Sequence, residues 1–355
     1  MQSINQKSIR WESVKSIFNV IADAEKISRA DIAEATGLSL MTVGKIADAL
    51  TELGIVRQSK ESRNAAGRRA GILSLSPNYC ALILDFTGAV LSFSVLTAGL
   101  HLHKEIPCSY NGSFTYEETV GLFLKEAQAY MTSLDTFTCM GIGVALPAPL
   151  DHRSRCARVD ARSPLYGLPI AAKVRQAFPA LPVYFETSVY AAAISNVLDV
   201  SEHADQVILY CFTADGCVQG AISQGGVILR GSHGVAGNFG RMALSRGRTL
   251  ASAIRKENPI RDNAAEIAKM LHNVILTVDP DTVAFESELP GSTNAFIDLL
   301  KEELCTQYGY TEDTLPVFKY SQCPYRHAHR GLALQIREAY LYREIIGEDI
   351  QYIRD

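Results

Sequence analysis

Ser28-Arg29-Ala30-Asp31-Ile32-Ala33-Glu34-Ala35-Thr36-Gly37-Leu38-Ser39 decides how the start of the chain folds. Ser28 and Asp31 stand at the spacing of a capping box, so a short helix is expected to start at Ser28. Gly37 stops that helix after Thr36, because glycine enters a left-handed turn that other residues resist. Ser39 caps a further helix, in which Val43, Ile46, Ala47, Leu50 and Leu53 recur at three-to-four spacing as one buried stripe. The opposite face carries Leu40, Met41, Thr42, Lys45 and Asp48. A helix-period run from about Ile9 to Ala24 comes before. Two short apolar strands, Ile55-Val56 and Ile72-Leu73, bracket a basic loop, Arg63-Asn64-Ala65-Ala66-Gly67-Arg68-Arg69. Together these make a winged helix-turn-helix whose third helix is available to a DNA major groove. A plain three-helix adaptor would account for the hairpin and leave the basic loop without a purpose.

Length and charge extend the reading. At 355 residues the chain exceeds one ordinary core. Residues 1–75 hold 11 Lys+Arg against 8 Asp+Glu, and the remainder holds 23 against 30. A mildly basic head on an acidic body suits a DNA reader joined to a domain that stays off DNA. No run of 18 apolar residues occurs, and the first residues lack an apolar signal core. The eight cysteines form no C-x-x-C pair, and several stand in apolar runs, where a reduced cysteine acts as a small hydrophobe. These features predict a cytoplasmic chain without disulfides or a membrane partner.

After Pro77 the pattern becomes α/β. Ala81–Asp85 and Leu91–Val95 read as strands joined at Thr87-Gly88, followed by a helix from about Tyr116 to Ser133 and a strand from Met140 to Leu146. A second series begins with Val207–Phe212, a turn at Ala214-Asp215-Gly216, and Val218–Ile222. The repetition suggests two related lobes with a cleft between them. Leu332 to Ile346 has helical spacing. The expected domains are 1–76 (winged helix-turn-helix), 77–195 (lobe 1), 196–333 (lobe 2) and 334–355 (a helix packing back on the body).

This order of motifs resembles the ROK family of repressors, open reading frames and sugar kinases, over nearly the whole chain. The resemblance rests on Ser28-Arg29-Ala30, Thr36-Gly37-Leu38-Ser39, Thr42-Val43 and Gly67-Arg68-Arg69 in the head. In the body it rests on Gly141-Ile142-Gly143-Val144 with Pro147 to Asp151, Leu229-Arg230-Gly231, Ala236-Gly237, Gly240, Pro280-Asp281 and Gly331-Leu332-Ala333. It implies a two-lobed, actin-like (ribonuclease H-like) ATPase fold for the body, and a homodimer or dimer of dimers.

Four departures argue against the family's kinase chemistry. The phosphate turn D-x-G-x-T reads Asp85-Phe86-Thr87-Gly88-Ala89, with a side chain where phosphate needs bare backbone. The second turn, T-G-x-G, reads Thr213-Ala214-Asp215-Gly216. The family's Gly-Gly near the adenosine site is Glu286-Ser287. The N-D-A-N segment carrying the catalytic base is Glu186-Thr187-Ser188-Val189, and a threonine hydroxyl is no base near neutral pH. The zinc site departs as well: Gly237-Asn238-Phe239-Gly240-Arg241 places arginine where the family has a ligating histidine. No cysteine lies between Cys217 and Cys305, and only 22 residues separate Arg241 from Ala264. His233, and His327 with His329, have histidine chemistry but too few ligand neighbours in sequence.

The expectation is therefore a DNA-binding regulator, without a metal or resident cofactor, that binds a double-stranded operator. Its body acts as a sensor of a small sugar or sugar phosphate, or as a dimerisation scaffold. An active sugar kinase with an accessory head and a ligand-independent interaction module are the alternatives. Ser39, Thr42 and Lys45 of the recognition helix and Arg63, Arg68 and Arg69 of the wing are the candidate DNA contacts. By alignment to the family, Arg162, Glu186, Thr187, Asn238 and Arg241 are the candidate effector contacts. An amide and a forked cation at 238 and 241 suit an anionic ligand. Arg241 could equally pair with a nearby carboxylate and brace the shortened loop.

Overall fold

The computed structural model describes residues 6–59, 71–110, 112–151, 156–200, 206–232, 234–321 and 324–349. The head consists of α1 (Gln6–Asp23), β1 (Ile27–Ser28), α2 (Arg29–Thr36), α3 (Leu40–Glu52), β2 (Val56–Ser59) and β3 (Ile72–Leu75). The Ser28 hydroxyl accepts from the Asp31 amide and the Asp31 carboxylate accepts from the Ser28 amide, completing the capping box. Gly37 ends α2 at φ 66°, in the left-handed region its missing Cβ allows. Val43, Ile46, Ala47 and Leu50 are buried against Ile17, Ile21 and Ile32 of the head core. The strands pair antiparallel in the order β1-β3-β2. Arg63, Arg68 and Arg69 lie outside the described residues.

The body follows with β4 (Tyr79–Asp85), β5 (Leu91–Thr97), β6 (Leu102–Cys108), α4 (Tyr116–Ser133), β7 (Thr138–Leu146), α5 (Ile170–Ala177) and β8 (Val183–Thr187). These strands form one sheet in the order β6-β5-β4-β7-β8. Phe123 of α4 packs edge-on to Phe86 and against Phe93, covering one face. The second half runs α6 (Ser188–Val200), β9 (Val207–Ala214), β10 (Cys217–Gln224), β11 (Val227–Ile228), α7 (Leu250–Ala253), α8 (Ile260–Val278), β12 (Thr282–Ser287), α9 (Asn294–Tyr308), β13 (Val317–Ser321) and α10 (Pro324–Ile346). Its sheet order, β11-β10-β9-β12-β13, repeats the first. Leu209, Val283 and Phe285 on one face pack with Ile267 and Leu271 of α8 and Phe296 and Leu300 of α9.

Contacts divide the chain into two compact units. One holds 1–145, 150–185 and 332–355; the other holds 146–149 and 186–331. The boundary drawn from sequence at 195/196 falls inside α6. The last helix also starts earlier than its apolar spacing suggested, at Pro324, where proline at a first helical position loses no hydrogen bond. In the first unit, its residues Leu332 and Ile336 press on Gly143, where a Cβ would stand 2.8 Å from Ile83 and 3.1 Å from Leu332. In the second unit, Gly331 lets α10 lie on α6: a Cβ there would meet the Ala191 carbonyl at 1.8 Å. The G-x-G and G-L-A motifs are thus packing requirements.

Candidate DNA-binding and effector sites

The outward face of α3 is open. Leu40 and Met41 are 62% and 71% exposed, and Lys45 is exposed. Ser39 serves the helix end, accepting from the Thr42 amide at 3.1 Å, with its hydroxyl 2.9 Å from that of Thr42. Arg29 is the residue that sequence reading missed. Its guanidinium donates to Asp48 of α3 at 2.6 Å and to Gln58 of β2 at 3.2 Å. It thereby neutralises the one carboxylate of the α3 outer face named above and ties the recognition helix to the wing strand. Its partners lie 19 and 29 residues away, beyond any local pattern.

The head is held by the last helix and by β4. Arg337 of α10 is buried, donates to Asn19 of α1 at 3.0 Å and to the Ala98 carbonyl at 3.1 Å, and lies 4.9 Å over the Phe18 ring. Trp11 meets Tyr342 edge to face at 5.2 Å. The Tyr79 hydroxyl donates to the Leu53 carbonyl at the end of α3, and its ring packs against Tyr340.

In the body, the positions that the resemblance marks for phosphate and catalytic base are bonded internally. Asp85 accepts from the amide and the hydroxyl of Thr87 at 2.8 and 2.6 Å, so the first turn closes on itself. The Thr213 hydroxyl donates to Ser287 at 2.9 Å, and Ser287 donates in turn to Ser292 at 2.9 Å. Glu286 is fully buried and accepts from the Tyr210 hydroxyl at 2.8 Å and from Asn196 at 3.1 Å. His327 lies 3.7 Å from the same carboxylate, which no sequence neighbour of His327 supplies. Burial first, and the Glu286 charge second, push the Tyr210 phenol well above its ordinary range, so it remains a donor. Glu186 accepts from Arg230 at 2.6 Å and from the Thr187 amide at 2.9 Å, while Thr187 is buried and accepts from the Tyr190 amide. Tyr190 donates to the Ala236 carbonyl at 2.7 Å.

The second unit therefore holds Glu186 and Thr187 with Arg230, Tyr190 and the segment leading to Asn238 and Arg241. Asn238 and Arg241 are exposed, and Arg241 has no ion-pair partner among the described residues. A Cβ at Gly237 would stand 2.0 Å from the Gly220 carbonyl, so this segment is pressed onto β10. Arg162 belongs to the first unit and pairs with Asp160 at 3.0 Å. The family's zinc finds no fitting donor set: arginine stands at the histidine position. Among the described residues no three His, Cys, Asp or Glu side chains converge, and His233 lies outside them. Among the described residues no helix is long and apolar enough to cross a membrane.

The comparisons agree with this layout. The ROK family model matches residues 111–257, and a winged helix-turn-helix DNA-binding model matches residues 12–57. A ROK family transcriptional regulator, described as a homolog of the E. coli MLC protein, superposes with a TM-score of 0.72 at 12% identity. It covers 96% of this chain and 100% of its own. The ROK hexokinase of Thermus thermophilus covers 74% of this chain and 98% of its own, with a TM-score of 0.57 and 19% identity. The ROK glucokinase of Streptomyces griseus, in complex with glucose and AMPPNP, covers 73% and 99%, with a TM-score of 0.59 and 13% identity. No curated protein sequence matches the chain.

Proposed function

We propose that this chain, which carries a ROK family domain behind an N-terminal winged helix-turn-helix, is a DNA-binding transcriptional regulator whose body senses and does not phosphorylate. One contrast carries the reading. The recognition face is left open, while the positions that hold phosphate and catalytic base in the family are occupied by one another's hydrogen bonds. Leu40 and Met41 supply apolar contacts for thymine methyl groups, and Lys45 supplies a cation for phosphate or a guanine edge. Two heads related by a two-fold axis read a palindromic site. Selection of bound duplexes from a random pool tests this: a two-fold symmetric site is expected, and Lys45→Ala and Met41→Ala weaken it. Selection that returns no preferred sequence overturns it.

Without a base the body transfers no phosphate. Glu186 has both carboxylate oxygens engaged, one by the Arg230 cation and one by the Thr187 amide, so neither is turned to a substrate hydroxyl. Assays with ATP and common hexoses are expected at background. Turnover that Glu186→Gln abolishes would show a relocated base and an active kinase.

The sensing site lies on the second unit, around Glu186, Thr187, Asn238 and Arg241. Arg241 is an exposed fork with no ion-pair partner among the described residues, and such a group fits a carboxylate or phosphate bidentately. The effector class is therefore a sugar phosphate or sugar acid. Calorimetry is expected to show binding of a sugar phosphate that Arg241→Ala weakens by about tenfold or more. Tight binding of a neutral sugar, indifferent to that substitution, counts against it.

A further inference from the structure

Cys80 and Cys139 are register partners on the adjacent parallel strands β4 and β7. Paired strands lie about 4.8 Å apart, within the Cα separation of about 4.4–6.8 Å that a disulfide spans. Partners across a parallel pair also project from the same face of the sheet. The Cys139 thiol donates to the Gly141 carbonyl at 3.4 Å. Directly after the pair the register of the two strands shifts, so the ladder is locally interrupted there.

The partners are not equivalent. Cys80 is fully buried, and the neighbouring Cys139 together with burial pushes its thiol up. Cys139 is partly accessible. The neighbouring Cys80, with the backbone at Gly141 and Leu82, outweighs burial and holds the Cys139 thiol below the usual range. One sulfur can thus attack an outside reagent, and the other waits behind it.

We propose that Cys80 and Cys139 are a reversible redox pair, oxidised by a low-molecular-weight disulfide such as oxidised glutathione. The Cys139 thiolate attacks one sulfur of the reagent, forming a mixed disulfide and releasing one glutathione thiolate, which takes a proton from solvent. Cys80 then attacks the Cys139 sulfur, and its proton passes to the glutathione sulfur that departs. The second glutathione thus leaves as a thiol. Two protein thiols are oxidised and one glutathione disulfide is reduced to two thiols. The new bond staples β4 to β7 one residue beyond Tyr79, whose hydroxyl holds the Leu53 carbonyl at the end of the recognition helix. The site is a modification point at the root of the DNA head.

Peptide mapping of the full chain tests this, after equilibration with set ratios of oxidised to reduced glutathione and an acid quench with alkylation. The expected product is one cross-linked peptide pair containing Cys80 and Cys139, lighter by two hydrogens than its reduced components. Dithiothreitol should reverse it, and the oxidised protein should melt several degrees higher, because the staple closes a long loop of the unfolded chain. Cys80→Ala should instead trap glutathione on Cys139, and Cys139→Ala should leave Cys80 unmodified. If the partly exposed Cys156 or Cys305 takes up glutathione while Cys80 and Cys139 stay open to alkylation at every ratio, the pair is structural only and the proposal fails. Wild-type mapping decides the matter even if a variant does not fold.

Discussion

The head and the body present their side chains in opposite ways. In the head, cap, turn and stripe fix the helices, and the side chains left over point outward: Leu40, Met41 and Lys45 are exposed. In the body the fold is kept, down to an identical strand order in both halves, but the side chains at the reactive positions turn inward onto one another. A fold is carried by burial and periodicity spread over many residues, whereas chemistry rests on a few positions. A body of this fold can therefore keep its shape while the side chains at a few positions differ.

That contrast is most directly broken at Glu286. If the buried carboxylate is structural, Glu286→Ala strands the Tyr210 hydroxyl and the Asn196 amide in the interior and costs about 3 kcal/mol. Glu186→Ala removes a pair whose arginine is 40% exposed and should cost about 1 kcal/mol or less. Urea unfolding of both variants checks the ordering. Equal losses would mean that Glu286 contributes no more than a surface pair.

The same contrast explains what could be read from sequence. Capping box, glycine stop and helical stripe are local, so α2 and α3 were legible to within a residue. The strand β6 was not. It is an edge strand whose Leu102-His103-Lys104-Glu105 stretch is exposed throughout and shows no apolar alternation. The first-strand, helix and central-strand core of the first half was legible, since Leu82, Leu84, Ile142 and Val144 are buried and apolar, whereas in the second half only β9 and β10 were placed. The Glu286 cluster joins residues 76 and 90 positions apart, and Arg337 meets Asn19 across 318. No local pattern records such pairings. Sequence could show that Glu286 stands where the resemblance implies a glycine, but not that its carboxylate would be met by a phenol, an amide and an imidazole.

Arg337 sharpens the comparison where head meets body. Arg337→Ala leaves the Ala98 carbonyl and Asn19 without their donor and empties the face of Phe18, at a cost of about 2 kcal/mol. If the head depends on this support, amide exchange should rise in α1 and around Ala98 and stay unchanged in β9 to β13. A smaller effect is expected at the wing. Replacing Arg68 and Arg69 together by alanine should lower the slope of log affinity against log salt by about 2, one phosphate contact each. An unchanged slope would leave α3 as the reading element and remove the wing from the interface.

The smallest expected effect concerns Glu338 on α10. Burial, opposed by Lys15 and Arg337 and aided by Glu12, holds its carboxyl above the usual 4.5. A carboxyl with a raised folded pKa binds more protons when folded than when unfolded. Its contribution is therefore most favourable below the unfolded value and declines as pH rises through the folded value. Above that window the ionised, partly desolvated carboxylate opposes the docking of α1 on α10. Glu338→Gln removes the charge while keeping the shape, so it should raise stability at neutral pH by less than about 1 kcal/mol and change nothing near pH 4. Melting curves of the two proteins from pH 4 to 8 should coincide at the acid end and separate as pH rises. Separation in the opposite sense would mean that the pairing with Lys15 and Arg337 outweighs burial, and that the head is held to the body by charge as well as by packing.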